Sequence, residues 1–162
     1  MDAKDAIRSA ANLSTMVLKA YISDLDDADL MRRPGKGCNH LAWQLGHLIS
    51  SEVQLLGMVA GQGTELPAGF TDAHSKEACG NDDAASFHGK QTYVDLFDKV
   101  RSASLAALDA WEPSDLDNPA PEEFREFCPT MGDMFMLIAT HPMMHAGQFV
   151  IVRRQLDKPV LM

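Results

Sequence analysis

Apolar residues recur every three to four positions in four long stretches of the chain, which is the period of an amphipathic α-helix. Segments rich in Pro, Gly, Asp and Asn separate these stretches. The predicted helices span about residues 3–23, 39–60, 90–111 and 131–156. Their core candidates include Ile7, Val17, Leu18, Tyr21, Leu45, Leu48, Ile49, Leu56, Val94, Phe97, Val100, Leu105, Leu108, Met134, Leu137, Ile138, Phe149 and Val152. The pattern predicts an all-α fold, a four-helix bundle.

The connection between the second and third predicted helices is unusually long. Residues 61–89 are too polar and too rich in turn formers to be a fifth core helix. Because long structureless connections are uncommon in compact domains, we expect this one to cross the bundle, to cover a site, or to do both. A crossover would let the second and third helices run parallel. Asn39 is the predicted N-cap of the second helix.

Length and composition predict one globular domain over residues 1–162. Of the 162 residues, 46% are hydrophobic and 23% are charged, which suits a single buried core. The net charge of −9 disfavours nucleic acid and anionic membranes as partners. We expect no stretch that approaches a membrane span and no secretory signal, and therefore a cytoplasmic protein. Cys38, Cys79 and Cys128 form no C-x-x-C pair, which predicts reduced thiols.

Two histidines interrupt the apolar face of the fourth helix. His141 and His145 are four residues apart, so they differ by about 40° around the helix axis and about 6 Å along it. Both imidazoles can reach one metal ion at that spacing, although a hydrogen-bonded core histidine is the commoner explanation for such a pair. His47, beside the apolar face of the second helix, can complete a site of three nitrogen ligands. Three protein ligands leave positions open for water or substrate.

The remaining polar residues near these faces have weaker assignments. Pro142 follows His141 directly and predicts a local kink, which either re-aims His141 or is a tolerated irregularity. Glu52 is rotated about 140° from His47, which favours a supporting or solvent-facing role over direct ligation. His40 lies too far along the axis to share the ion. Surface positions are expected for His74 and His88, while packing or substrate contact is open for Ser51 and Gln148.

Two segments resemble the signature segments of a known family. They are HLAWQLGHLISSE and TMGDMFMLIATHPMMHAGQFVIVRRQLDKP, of which the HAGQ motif is the most specific part. The chain is identified on these residues as similar to the DinB-like (YfiT-like) superfamily of metal-dependent enzymes. The resemblance implies an up-down-down-up bundle, often a homodimer, with Zn²⁺ or Ni²⁺ on His47, His141 and His145. It also implies relatives that transfer low-molecular-weight thiols, and it does not imply DNA binding.

Three hypotheses about function follow. The first is a metal-dependent transferase or hydrolase, in which the ion activates a low-molecular-weight thiol or water for attack on a small molecule. The second is a non-catalytic bundle with a structural or sensing metal site, which a fourth protein ligand would favour. The third is an interaction module whose histidines are core residues. No catalytic residue is assigned, because no nucleophile–base arrangement is legible.

Overall fold

The computed structural model describes residues 1–61 and 63–160, and over these residues the chain is helical. An isolated bridge between Pro119 and Thr130 is the one β-type pairing in the described part. The α-helices are α1 Ala3–Ile22, α2 Asp27–Leu30, α3 Leu41–Ala60, α4 Phe70–Ala73, α5 Lys90–Ala110 and α6 Met131–Gln155. Short 3-10 helices lie at Ala84–Ser86, Pro113–Asp117 and Glu122–Phe124. The all-α prediction is confirmed, and α1, α3, α5 and α6 match the four predicted helices.

Capping residues explain where two of the long helices begin. The Asp2 carboxylate accepts a hydrogen bond from the Asp5 N–H, and the Asp5 carboxylate accepts one from the Asp2 N–H. Thr130 and Asp133 form the same reciprocal pair at the start of α6. Each such pair satisfies two backbone donors that have no partner inside the helix.

The start of α3 corrects one prediction. His40, not Asn39, is the N-cap of this helix, and its Nδ1 accepts a hydrogen bond from the Trp43 N–H at 3.0 Å. The other ring nitrogen of His40 lies 3.1 Å from the carbonyl oxygen of Asn81, and the residue is fully buried. Histidine is an uncommon cap, and this long-range contact is absent from any local pattern.

Buried apolar side chains link the four long helices. One cluster contains Leu18, Leu45, Phe97 and Phe149, and a second contains Ile7, Leu56, Leu108 and Phe135. Burial of one such side chain stabilises a fold by about 1.5–3 kcal/mol. Most of the core side chains predicted from helical periodicity are buried, whereas Val94, Leu105 and Leu137 are half-buried.

Contacts between polar groups show which helix ends meet. The Lys4 ammonium donates to the Asp109 carbonyl oxygen at 2.9 Å, and Lys19 pairs with Asp98 at 2.7 Å. The Ser14 hydroxyl donates to the Ala139 carbonyl oxygen. The Arg153 guanidinium donates to the Tyr21 carbonyl oxygen and pairs with Asp24. These contacts join α1 to α5 and to α6 along its length.

The 61–89 segment packs against α3 and α5 and contains local structure of its own. The Phe70 side chain of α4 is buried, and so is His74, whose exposed fraction is only 2%. The Trp43 indole N–H of α3 donates to the Ser75 carbonyl oxygen at 3.0 Å. The expected surface position of His74 is therefore wrong, because this segment folds back onto α3, whereas His88 is exposed as expected.

We expected no stretch of the chain to approach a membrane span, and α6 is an exception. By length and composition it could cross a membrane, since its most apolar 18-residue window has a mean hydropathy of 1.3. That window is 39% buried inside the protein, and the core helix of a soluble protein passes the same test. One such helix is weak evidence for a membrane protein.

Candidate metal centre

The structure brings His47 of α3 together with His141 and His145 of α6. The ring centroids are 5.5 Å apart for His47 and His141, 5.5 Å for His47 and His145, and 5.0 Å for His141 and His145. One ring nitrogen from each side chain lies within 4.8 Å of the others, and all three side chains are half-buried. Among the described residues, this is the group of His, Cys, Asp or Glu side chains that could hold a metal ion.

Pro142 is accommodated within α6 by a side chain from α5. A proline in a helix cannot bond to the carbonyl oxygen four residues earlier, which here belongs to Ile138. Arg101 Nη1 donates to that oxygen at 3.2 Å, so the freed acceptor keeps a partner. The helix continues from Met131 to Gln155 with Pro142 buried inside it. His141 and His145, which lie on either side of Pro142 in the sequence, therefore stay on one continuous helix.

Burial keeps the three imidazoles in their neutral form. Desolvation lowers the pKa of His47 below its ordinary value of 6.5. Desolvation, with the charges of His47 and Arg101, lowers the pKa of His141 to about 4. The pKa of His145 falls to about 3, through desolvation and then through the other two histidines. Neutral imidazole is the form that binds a metal ion, so the site presents three available nitrogen ligands at neutral pH.

Gln44 orients His145, and no pattern in the sequence identified it. The Gln44 side chain, which is 1% exposed, donates through Nε2 to the Asn39 carbonyl oxygen at 2.7 Å. Its Oε1 therefore faces His145 Nδ1, at 2.9 Å. An amide oxygen only accepts, so Nδ1 carries the proton and Nε2 keeps its lone pair. Hydrogen bonds of this kind fix the tautomer and the ring orientation of metal-binding histidines.

Two side chains of α3 contact His47. The Trp43 ring stacks on the His47 ring, with centroids 4.9 Å apart and planes 8° apart. The Ser51 hydroxyl lies one helical turn further on, 3.5 Å from each ring nitrogen of His47. Trp43 is itself fixed by its bond to Ser75, so the stacking limits the positions that the His47 ring can take.

Glu52 belongs to a buried ion pair beside the histidines. Its carboxylate lies 2.9 Å from Arg101 Nη2 and accepts a hydrogen bond from the Ser104 hydroxyl at 2.8 Å. The side chains of Glu52 and Arg101 are 4% and 6% exposed. A solvent-facing Glu52 is therefore wrong, because α5 supplies its partners. Glu52 lies outside the group of potential ligands, as the sequence predicted.

The other histidines do not join the three. His40 caps α3, and His74 Nδ1 lies 2.7 Å from the Phe70 carbonyl oxygen. The Tyr93 hydroxyl lies 2.8 Å from the Nε2 of His74. Since a carbonyl only accepts, Nδ1 donates to Phe70 and Nε2 accepts from Tyr93. His40 and His74 thus have complete sets of hydrogen bonds within the protein.

The donor set suits a divalent metal ion. Zinc–nitrogen bonds of about 2.0–2.1 Å place nitrogen ligands about 3.3 Å apart around a tetrahedral ion. The present separations of at most 4.8 Å require side-chain shifts of about 1.5 Å or less. Three imidazoles from two helices also leave a coordination position free. The fold and the site thus define a helical protein with three convergent, neutral histidines that could hold one metal ion.

The chain belongs to the DinB superfamily, whose sequence model matches residues 11–149. The match includes His47, His141 and His145 and reaches through the HAGQ motif. The resemblance read from the two signature segments is thus confirmed.

A solved structure shares this fold. A conserved protein from Enterococcus faecalis superimposes with a TM-score of 0.73, covering 97% of this chain and 98% of its own. The two sequences are 14% identical, so the similarity concerns the fold alone. No curated protein matches the chain.

Proposed function

We propose that this protein is a metal-dependent enzyme that uses a divalent ion, Zn²⁺ or Ni²⁺, held by His47, His141 and His145. The observation that carries the proposal is the convergence of three neutral imidazoles, whose ligand nitrogens lie within 4.8 Å of one another. Three ligands would leave a coordination position of the ion free. The reaction is transfer of a low-molecular-weight thiol to a small electrophile, or hydrolysis by water. A bound ion would lower the pKa of the thiol or water that it binds, which makes that group a nucleophile near neutral pH.

The protein's own residues prepare the site for this chemistry. Gln44 holds His145 with its Nε2 free, and Trp43 restricts the ring of His47. A pocket of about 380 Å³ opens beside His47, between α3 and the 61–89 segment. A small substrate fits a pocket of this size. These features support a site that admits a ligand over one that only joins two helices.

The metal is tested by elemental analysis of untagged protein, for wild type, His145→Ala and the control His88→Ala. His88 is exposed and lies outside the group of potential ligands. We expect about one ion per chain in wild type and in the control, and little in His145→Ala at a matched folded fraction. A well-folded wild type that takes up neither added zinc nor added nickel would refute the proposal.

The catalytic proposal needs a second measurement, because a structural ion would give the same metal content. Co²⁺-substituted protein reports ligand exchange through its visible spectrum. A spectrum that changes on addition of a small thiol, followed by transfer of that thiol to an electrophile, supports the enzyme. A spectrum that neither thiol nor pH changes indicates a closed structural or sensing site instead.

Helix directions support the proposed up-down-down-up topology. Ser14 meets Ala139 and Tyr21 meets Arg153, so α1 and α6 run in the same direction. Lys4 contacts Asp109 and Lys19 contacts Asp98. Residue numbers therefore rise along α1 as they fall along α5, so these two helices are antiparallel.

In α3, Gln44 pairs with His145 while His47 faces His141, which makes α3 antiparallel to α6. The order is then up, down, down and up, with the 61–89 segment as the crossover. We propose that residues 1–162 form one such domain.

Exposed apolar side chains support the proposed homodimer. Leu13 and Met16 on α1 are 49% and 54% exposed, and Met144 and Ile151 on α6 are 63% and 44% exposed. A groove of about 410 Å³ lies between these two helices and is lined by apolar residues. Apolar patches of this kind mark contact surfaces. Light scattering coupled to gel filtration tests the dimer, and a monomer mass at micromolar concentration would refute it.

A further inference from the structure

The pocket beside His47 has a composition that its role in metal binding does not explain. One wall comes from α3 and the other from residues 71–76 of the 61–89 segment. Its volume of about 380 Å³ lies at the lower end of the range for small-molecule sites. A ligand there would extend from His47 towards the 71–76 side.

Most of the residues that line this pocket are polar. Ser50, Ser51 and Gln54 contribute from α3, and Thr71 contributes from the opposite wall. The Ser50 hydroxyl is shielded from solvent, so the donors that a ligand can reach are those of Ser51, Gln54 and Thr71. Hydroxyl and amide groups donate hydrogen bonds to acceptor groups such as carboxylate oxygens.

The charge of the lining differs from the charge of the chain. The protein carries 23 acidic residues and a net charge of −9, yet no Asp or Glu among the described residues lines this pocket. Lys76 is the Lys or Arg residue that lines the pocket. Its ammonium is exposed and has no ion-pair partner in the described part of the chain.

We infer that this pocket binds a small molecule with an anionic group, a carboxylate, which pairs with Lys76 while the molecule's other end points to His47. The inference rests on the proposed function, because it names the substrate class of the same site. Hydroxyl groups also donate hydrogen bonds to a carboxylate, so Ser51 and Thr71 suit the same ligand. The consequence for thiol transfer is a preference for thiols that carry a carboxylate.

The test compares two probes of equal length, 3-mercaptopropionate and 3-mercapto-1-propanol. Ligand-observed NMR on metal-free protein measures their binding to wild type, to Lys76→Gln and to the control Lys99→Gln. Lys99 lies on α5, outside the pocket, and its substitution removes the same unit of charge. Both lysines are exposed, so the variants should remain folded.

We expect the carboxylate probe to bind wild type more tightly than the alcohol. Lys76→Gln should weaken the carboxylate probe roughly two- to five-fold, the range for one solvent-exposed ion pair, and leave the alcohol unchanged. Lys99→Gln should change neither probe. Raising the salt concentration from 0.05 to 0.5 M should reduce the preference, because screening weakens exposed charge pairs.

Equal binding of the two probes would overturn the inference, and so would a carboxylate affinity that Lys76→Gln leaves unchanged. This holds whether or not the protein binds a metal ion. The proposed function is judged separately, from the spectrum of Co²⁺-substituted protein with either thiol. A cobalt spectrum that responds equally to both thiols keeps the proposed function and rejects the carboxylate preference. Probe binding that depends on Lys76, with no metal uptake, keeps the anion site and rejects the metal-dependent enzyme.

Discussion

Gly46 lies on α3 directly against the buried ring of His74, and its replacement by alanine gives a sharp test of the structure. A Cβ atom at position 46 would lie 2.0 Å from His74 Cδ2 and 2.2 Å from its Cγ. The ring has no freedom to retreat, since both of its nitrogens are bonded, to Phe70 and to Tyr93. Gly46→Ala must therefore displace the 61–89 segment or the helix itself.

The expected loss of stability follows from three contributions. Overpacking a buried site costs about 1–3 kcal/mol. Disrupting the two hydrogen bonds of His74 costs about 1 kcal/mol each. Alanine recovers about 1 kcal/mol through its better helix propensity. The net destabilisation is about 2–4 kcal/mol, which lowers the melting temperature by roughly 4–16 °C in a domain of this size.

Gly57, on the same helix, supplies the matched control. A Cβ atom there meets no other atom within 4 Å, so Gly57→Ala should stabilise the protein by about 0.5–1 kcal/mol. Urea unfolding of metal-free protein, followed by circular dichroism, measures both variants. The double variant Gly46→Ala/His74→Ala should show little extra cost over His74→Ala, because the clashing ring is gone. If Gly46→Ala stabilises as Gly57→Ala does, the packing described here is incorrect.

Three further predictions concern buried polar side chains. Gln44→Leu should weaken metal binding about 10–100-fold while leaving the fold intact, because His145 loses the acceptor that orients it; competition with a zinc chelator measures this. Arg101→Met should cost about 3–5 kcal/mol in urea unfolding, because Glu52 is left charged and buried, and Arg101→Met with Glu52→Leu should recover much of that loss. His74, with its pKa lowered by burial to about 4, stays neutral in the folded state while it protonates below pH 6.5 when unfolded. Stability should therefore fall as the pH is lowered from 7 to 5, by about 2 kcal/mol for this residue, and His74→Gln should reduce the fall by that amount. An equal pH dependence in wild type and His74→Gln would contradict the burial of His74.

Helical periodicity predicted the elements that carry the site because their apolar faces repeat over many turns. The bounds of α1, α3, α5 and α6 fall within about two residues of the predictions. His141 and His145 were expected together because their spacing on one helix decides their relative position. His47 was placed beside them because two long apolar faces in one bundle must meet.

Contacts made across long sequence separations could not be predicted in the same way. Glu52 and Ser104 are 52 positions apart, and the partner of Gln44 is 101 positions away. Neither pairing leaves a periodic signal in the sequence. His74 was assigned to the surface because its neighbours are polar, whereas its partner Tyr93 lies in α5. One signal was present: a glycine inside the apolar helix α3, at position 46, can mark a close approach by another part of the chain.

The site is assembled from two kinds of structure, which bears on how it could be re-engineered. The three histidines lie on long helices, whereas residues 71–76 form the opposite wall of the His47 pocket. This stretch could be exchanged as a cassette in directed evolution without replacing any of the three rings. His74 would have to be kept, because its ring fills the space above Gly46. Variation at Thr71 and Lys76 would then sample new specificities on an unchanged metal-binding scaffold.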